Sequence, residues 1–397
     1  MNKNTIFSTA ILCSIIFIYS CEKSNSNWQG TTTSENGVKV VINPDSPYYG
    51  DFSLEIKENL SLGNEEDDNY WFYRAIDLDV DSSNHIYIVD LGNDRIQKYN
   101  QDGHFLQTIG GQGQGPGEFR GPLELFINSQ NKLFVREYMK MSIFDEQGDF
   151  IRSYSLEKNL QDFAVDWQDF ILGYADIQPR DPAIRSIVKI DQEGKIIKRI
   201  TDFNDPGIKI VIGTGATYTL NRNHIYSPRL YFSVLDENHF IYGYSSDYLL
   251  YLIDNEGNIF QRIHKNEPPS PITSKEKSII IDRIMESLEQ NNTPIPRQGI
   301  EDTLYFQKHR AFFDRILVDD KQRIFIQKVK SVLDDTDLYT FDIFNREGYY
   351  LYRTQLPFVP EIIRDGYLYD INRSEETEIT QIKRYRIDNW ASLKDGI

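Results

Sequence analysis

The chain has 397 residues, enough for two or three average domains or one large all-β toroid. Its 60 Asp and Glu against 43 Lys and Arg give a formal charge of −17, a poor match for phosphate backbones, so nucleic acid is excluded as a partner. With 40% hydrophobic residues, 25 Tyr, 23 Phe and two Cys, composition excludes disorder, a disulfide scaffold and a four-cysteine zinc site, and favours strands over helices.

Residues 1–20 carry one charged side chain, Lys3, and an apolar run from Ile6 through Tyr19 that is too short to span a bilayer and suits a signal-peptide core. The run ends in Ile18-Tyr19-Ser20-Cys21, which resembles the bacterial lipobox. The resemblance implies cleavage before Cys21 and lipidation of that residue. It thus implies a protein of the bacterial cell envelope, anchored by its lipid on the periplasmic face or the outer-membrane surface. Cleavage would also remove Cys13 and leave no free thiol. Residues 21–48 then read as a polar tether and 49–397 as the folded body.

Beyond a first strand at Phe52–Leu60, one turn recurs five times between alternating strands. It begins at Asn100, Asp145, Asp191, Asp254 and Asn345 and closes on Gly103, Gly148, Gly194, Gly257 and Gly348. An Asx side chain at the first position can accept backbone N–H groups, and glycine follows where the chain needs positive φ, which predicts a hairpin ending in a one-residue bulge. A second turn precedes it in four repeats, at Asp81, Asn128, Asp236 and Asp319. Two hairpins per repeat make a four-stranded antiparallel blade. The first two intervals between turn glycines are 45 and 46 residues, and the next two, 63 and 91, carry insertions of about 18 and 45. The β region through Asp388 then accommodates six blades. The sixth, with strands at Tyr367–Ile371 and Ile379–Ile387, is one strand short, and Phe52–Leu60 would supply it and close the ring. The expected fold is all-β, a six-bladed β-propeller closed by its N- and C-terminal strands, with one helical insertion (about 271–292) between blades four and five. That helix is signalled by a capping box at Thr273 and Glu276 and an apolar stripe of Ile280, Ile284 and Leu288.

The segment Ile86-Tyr-Ile-Val-Asp90-Leu-Gly92-Asn93-Asp-Arg95, with Gly111-Gln-Gly-Gln-Gly-Pro116-Gly-Glu-Phe119, resembles a repeat of the NHL family. The mature chain resembles the six-bladed β-propeller lipoproteins of Gram-negative envelopes. The resemblance implies a binding surface for a protein or ligand. A minority of such propellers are lyases or lactonases with a metal in the funnel.

The glycine run at 110–117 misses the dinucleotide fingerprint and no helix pattern follows it, so it reads as a blade-to-blade crossover. Asp77, Asp79 and Asp81 alternate, but Ser82 and Ile88 stand where a calcium-binding EF loop needs Gly and Glu. Converging backbone carbonyls leave room for a calcium ion in the central channel; no other cofactor is expected. His85 and His239 occupy equivalent turn positions, and no HExxH or other close-spaced pair exists. Arg74, Arg120, Arg229 and Arg315 stand near the starts of inner strands, and Glu137 and Tyr244 near the ends of second strands. These six are the candidate ligand-binding rim on the funnel face, with Cys21 the lipidation site and no catalytic or metal-ligating residue assigned. The expected function is an envelope-anchored, non-catalytic module binding a protein or small ligand. The alternative is a lactonase- or lyase-like propeller hydrolase with a funnel metal.

Overall fold

The Asx–Gly turns form by the chemistry their sequence dictates. At Asp145 one carboxylate oxygen accepts the N–H groups of Gln147 and Asp149 at 3.0 and 2.9 Å, and the same pattern recurs at Asn100, Asp191 and Asp254. Gly103, Gly148, Gly194, Gly257 and Gly348 all have φ between 76° and 90°. The strand register slips by one residue beside each turn, the expected bulge. The second turn also recurs, and it appears in the third repeat as well, where Asp166 accepts from Gln168 and Phe170 and Asp169 takes the left-handed conformation.

The computed structural model describes residues 28–178, 183–205, 208–213, 216–221, 224–292, 295–373 and 380–397. The apolar N-terminal run and Cys21 lie outside the described residues. Counting from Ala75–Val80, blade one comprises Ala75–Val80, Ile86–Asp90, Arg95–Tyr99 and Phe105–Ile109. Blades two, three, four and five begin with inner strands Glu124–Ile127, Leu160–Val165, Leu230–Asp236 and Phe313–Val318 and end with outer strands Phe150–Ser155, Ile196–Asp205, Ile259–Lys265 and Tyr350–Leu356. Blade six takes Ile362–Arg364, Tyr367–Arg373 and Thr380–Ile387 from the C-terminal region, and its outermost strand, Ile56–Leu62, from the other end of the chain. The ring therefore closes as the sequence predicts.

The insertions also fall where the repeat intervals place them. A hairpin, Ile208–Gly213 with Ala216–Asn221, occupies the connector from blade three to blade four. Helices Ser274–Gln290 and Arg297–Glu301 occupy the connector from blade four to blade five. Thr273 and Glu276 make the reciprocal capping box. One expectation needs correction. Within the stretch read as a tether, Thr31–Glu35 and Val38–Asn43 form a hairpin whose second strand pairs in parallel with Ile259–Lys265, so blade four has six strands. The reason is packing: Val40 and Val41 are buried against the blade, while the Thr-rich strand stays exposed.

The core lies between blades rather than in one centre. Six apolar clusters each join two neighbouring blades, such as Val89, Ile96 and Ile109 with Leu125, Leu133 and Phe144. Each turn glycine also abuts the outer strand of the preceding blade. A Cβ on Gly194 would come within 2.1 Å of the Ser155 carbonyl oxygen, and one on Gly148 within 2.4 Å of the Gln107 amide. Gly37, in the N-terminal hairpin, has a similar φ of 84° but open space around it. We expect Gly194→Ala to cost about 3 kcal/mol or more, left-handed strain plus a backbone clash, and Gly37→Ala about 1 kcal/mol. Urea unfolding of the two variants reads the difference, and equal losses would refute the inter-blade role of the turn.

Candidate functional site

Strand direction divides the ring into two faces. Both kinds of Asx turn emerge on one, whereas the blade-to-blade connectors and the turns between second and third strands emerge on the other. The six inner strands line a central channel of about 910 Å3. Its walls carry Asp77, Asp79, Glu124, Asp162, Asp314 and Glu361 alongside Arg136, Arg315 and Arg364.

These channel side chains serve mainly to join blades. An innermost strand has no partner on its channel side, so its N–H and C=O groups need other partners. Asp77 accepts the Leu125 N–H at 2.7 Å and Asp79 that of Ile127 at 2.8 Å, from blade one to blade two. Glu124 accepts the Phe163 N–H of blade three at 3.3 Å and an Arg136 N–H at 2.8 Å. Arg364 donates to the Val80 carbonyl at 2.7 Å, and Arg315 donates to the Pro360 carbonyl at 3.2 Å and pairs with Glu361. The alternation of Asp77, Asp79 and Asp81 thus has a structural reading, with two caps for the next blade and one turn former. Burial, and then the charge of Glu124, pushes the carboxyls of Asp77 and Asp162 well up, and burial raises Asp79 to about 6. Among the described residues, no group of three His, Cys, Asp or Glu side chains is placed to hold a metal ion.

The six rim residues proposed from sequence do not form one cluster. Arg74, Arg120 and Arg229 are exposed on the connector face, each just ahead of an inner strand. Arg74 has no side-chain partner among the described residues, whereas Arg120 meets the Gln114 amide. Glu137 is buried and accepts the Arg120 N–H at 2.7 Å while pairing with Lys140 at 2.8 Å. Asp90 and Ser245 likewise accept the N–H groups of Arg74 and Arg229, so the end of the second strand fixes the entry of the first. Tyr244, one residue before Ser245, stacks on Phe203 at 5.4 Å. Arg315 lies in the channel rather than on the rim.

The long helix settles on the same connector face. Glu276 is buried, and its carboxylate accepts Tyr226 and Ser331 hydroxyls at 2.8 Å and the Thr273 N–H at 2.9 Å. Burial opposes its ionisation, but these donors prevail and bring its pKa to about 2. Ile280 packs with Tyr226 and Ile272, and Ile281 packs against Ile295, Ile300 and Leu304. Between this helix and the inner strands of blades four and five lies an open groove of about 580 Å3, lined by His224, Ile225, Arg229, Tyr231, Ile280, Arg283, Ile284, Asp314 and Val332. Of these, sequence reasoning singled out Arg229 for binding, whereas Arg283 was hidden because it follows the helix rather than the repeat. No described helix is long and apolar enough to cross a membrane.

Residues 74–235 match the model of a family described as 6-bladed beta-propeller, DUF5128. This chain is a six-bladed β-propeller. No curated protein matches it. Among solved structures, a Bacteroides fragilis NCTC 9343 protein named "Putative exported protein" is 13% identical at a TM-score of 0.51, covering 87% of this chain and 100% of its own. A member of the duf4221 family from Bacteroides vulgatus ATCC 8482 is 10% identical at 0.50, covering 84% of this propeller and 98% of its own chain. Virginiamycin B lyase from Staphylococcus aureus is 11% identical at 0.41, covering 84% and 99%, a likeness that carries no argument about chemistry. The first two show the fold alone.

The channel carboxyls give the propeller a pH signature. Asp79 titrates near 6 when folded and near 4 when unfolded, so its share of stability is complete below about pH 4 and is lost as pH rises through 6. Glu276 has the opposite sign, losing its share as pH falls towards 2. We expect Asp79→Asn to flatten the decline between pH 4 and 7 by roughly 1–3 kcal/mol. Urea titrations at several pH values read this, and a variant curve parallel to wild type would contradict it.

Proposed function

We propose that this propeller is an exported, lipid-anchored protein with NHL-type repeats that binds an envelope protein or small ligand through its connector face, without catalysis. The observation that carries the reading is the population of that face. Tyr73, Tyr138 and Tyr305 are 64%, 68% and 66% exposed there, with Trp71 beside Tyr73 and the unpartnered Arg74 next in sequence. Exposed Tyr, Trp and Arg on one face are the residue types that anchor interfaces. The channel carboxylates that a funnel-metal hydrolase would draw on are engaged with neighbouring blades, which favours binding over that alternative. Ile18-Tyr19-Ser20-Cys21 supports the lipid anchor, and the name of the Bacteroides fragilis neighbour supports export.

The test is capture from bacterial membranes by the lipidated full chain. Tyr73→Ala combined with Arg74→Ala should lower recovery of the bound component by about tenfold or more, with the melting temperature unchanged because both side chains are exposed. Equal recovery by wild type and variant would remove these two residues from the binding face.

A further inference from the structure

We propose that the groove beneath the long helix is a site for an amphipathic monocarboxylate, its apolar body lying against Ile225, Ile280, Ile284 and Val332 and its carboxylate held by Arg229 and Arg283. This names a ligand class for the connector face and rests on the binding reading above. Three observations converge. The groove holds about 580 Å3, the scale of a small-molecule site. Neither the Arg229 nor the Arg283 guanidinium makes a hydrogen bond or ion pair among the described residues, Arg229 having the charge of Asp314 nearby, although acidic side chains outnumber basic ones in this chain, which carries a formal charge of −17. The aliphatic part of the lining comes from three places, Ile280 and Ile284 on the helix, Ile225 in the connector and Val332 in the turn after Ile324–Lys328.

The chemistry suits a carboxylate better than a neutral ligand. A guanidinium presents a planar fork of N–H donors that matches the two carboxylate oxygens, and an aliphatic wall rewards a tail rather than a second charge. At the floor, Tyr231 donates to Asp314 at 3.3 Å, which engages one oxygen of the acidic side chain that lines the groove. The helical wall is already in place. Glu276 ties the helix to Tyr226 and Ser331, so ligand entry has no wall to order.

Sodium decanoate is the probe, titrated calorimetrically into the full mature chain. Wild type should bind it saturably, whereas decanol, lacking the charge, and acetate, lacking the tail, should each bind about tenfold more weakly or worse. R229A/R283A should weaken decanoate by about tenfold or more, and so should I225D, which puts a like charge on the aliphatic wall. All three positions are exposed, Ile225 at 48%, so unchanged thermal unfolding is expected and separates lost binding from lost fold. Absence of saturable decanoate binding, or equal affinity in wild type and R229A/R283A, would overturn the site. Tyr73 and Arg74 do not line the groove, so this titration and the membrane capture succeed or fail independently.

Discussion

The ring depends on one repeated contact, in which the Asx–Gly turn of each of blades one to five is seated on the outer strands of the blade before it. A side chain from the preceding blade donates to a carbonyl inside the turn. Arg384 reaches Gln101, Gln107 reaches Gln147, Arg152 reaches Gln192, Lys198 reaches Glu256 and Gln261 reaches Arg346. The turn glycine has no side chain because the neighbouring strand occupies that space. One short motif therefore does two jobs, reversing the chain within a blade and registering the blade against its neighbour.

The channel repeats this logic at the inner end. In its acidic lining, Asp77, Asp79 and Glu124 each accept a backbone N–H group of the next inner strand. Blades two and three are thus gripped at both edges, by inner carboxylates and by outer turns. That division of labour leaves the connector face free to vary. Its insertions add a helix and a groove without disturbing a turn, and its exposed aromatic side chains carry none of the ring's contacts described above.

The parts legible in the sequence were those whose chemistry is local. An Asx side chain that caps N–H groups two and four residues ahead leaves its signature in five consecutive letters, and from that period the blade number, both insertions and the closing strand followed. The copy at Asp166 is not among the four turns read from the sequence, and its left-handed position holds Asp169 where Asn84, Asn131 and Gln322 stand in three counterparts. The N-terminal hairpin was opaque for a different reason. Its Thr-rich strand is polar, and its parallel partner lies more than two hundred residues away. On the connector face, Arg74, Arg120 and Arg229 could be found from their place before inner strands. The capping duty of Asp90 and Glu137, and the groove that Arg283 shares with Arg229, arise only when connectors fold back over the blades.

The N-terminal hairpin has a mechanical consequence. Tension entering through the N-terminus would first peel Thr31–Glu35 from Val38–Asn43 rung by rung, starting at the Thr31–Ile42 pair. It would then meet the parallel ladder from Lys39–Gln261 to Asn43–Lys265, whose five rungs lie across a pull directed along the strands and share that load. The load thus ends in blade four, while the seam between Ile56–Leu62 and Thr380–Ile387, where the circle is stitched shut, is spared. A chain tethered by its front end would have its strain relief built two blades away from that seam, from neither a loop nor a linker but from a borrowed pair of strands.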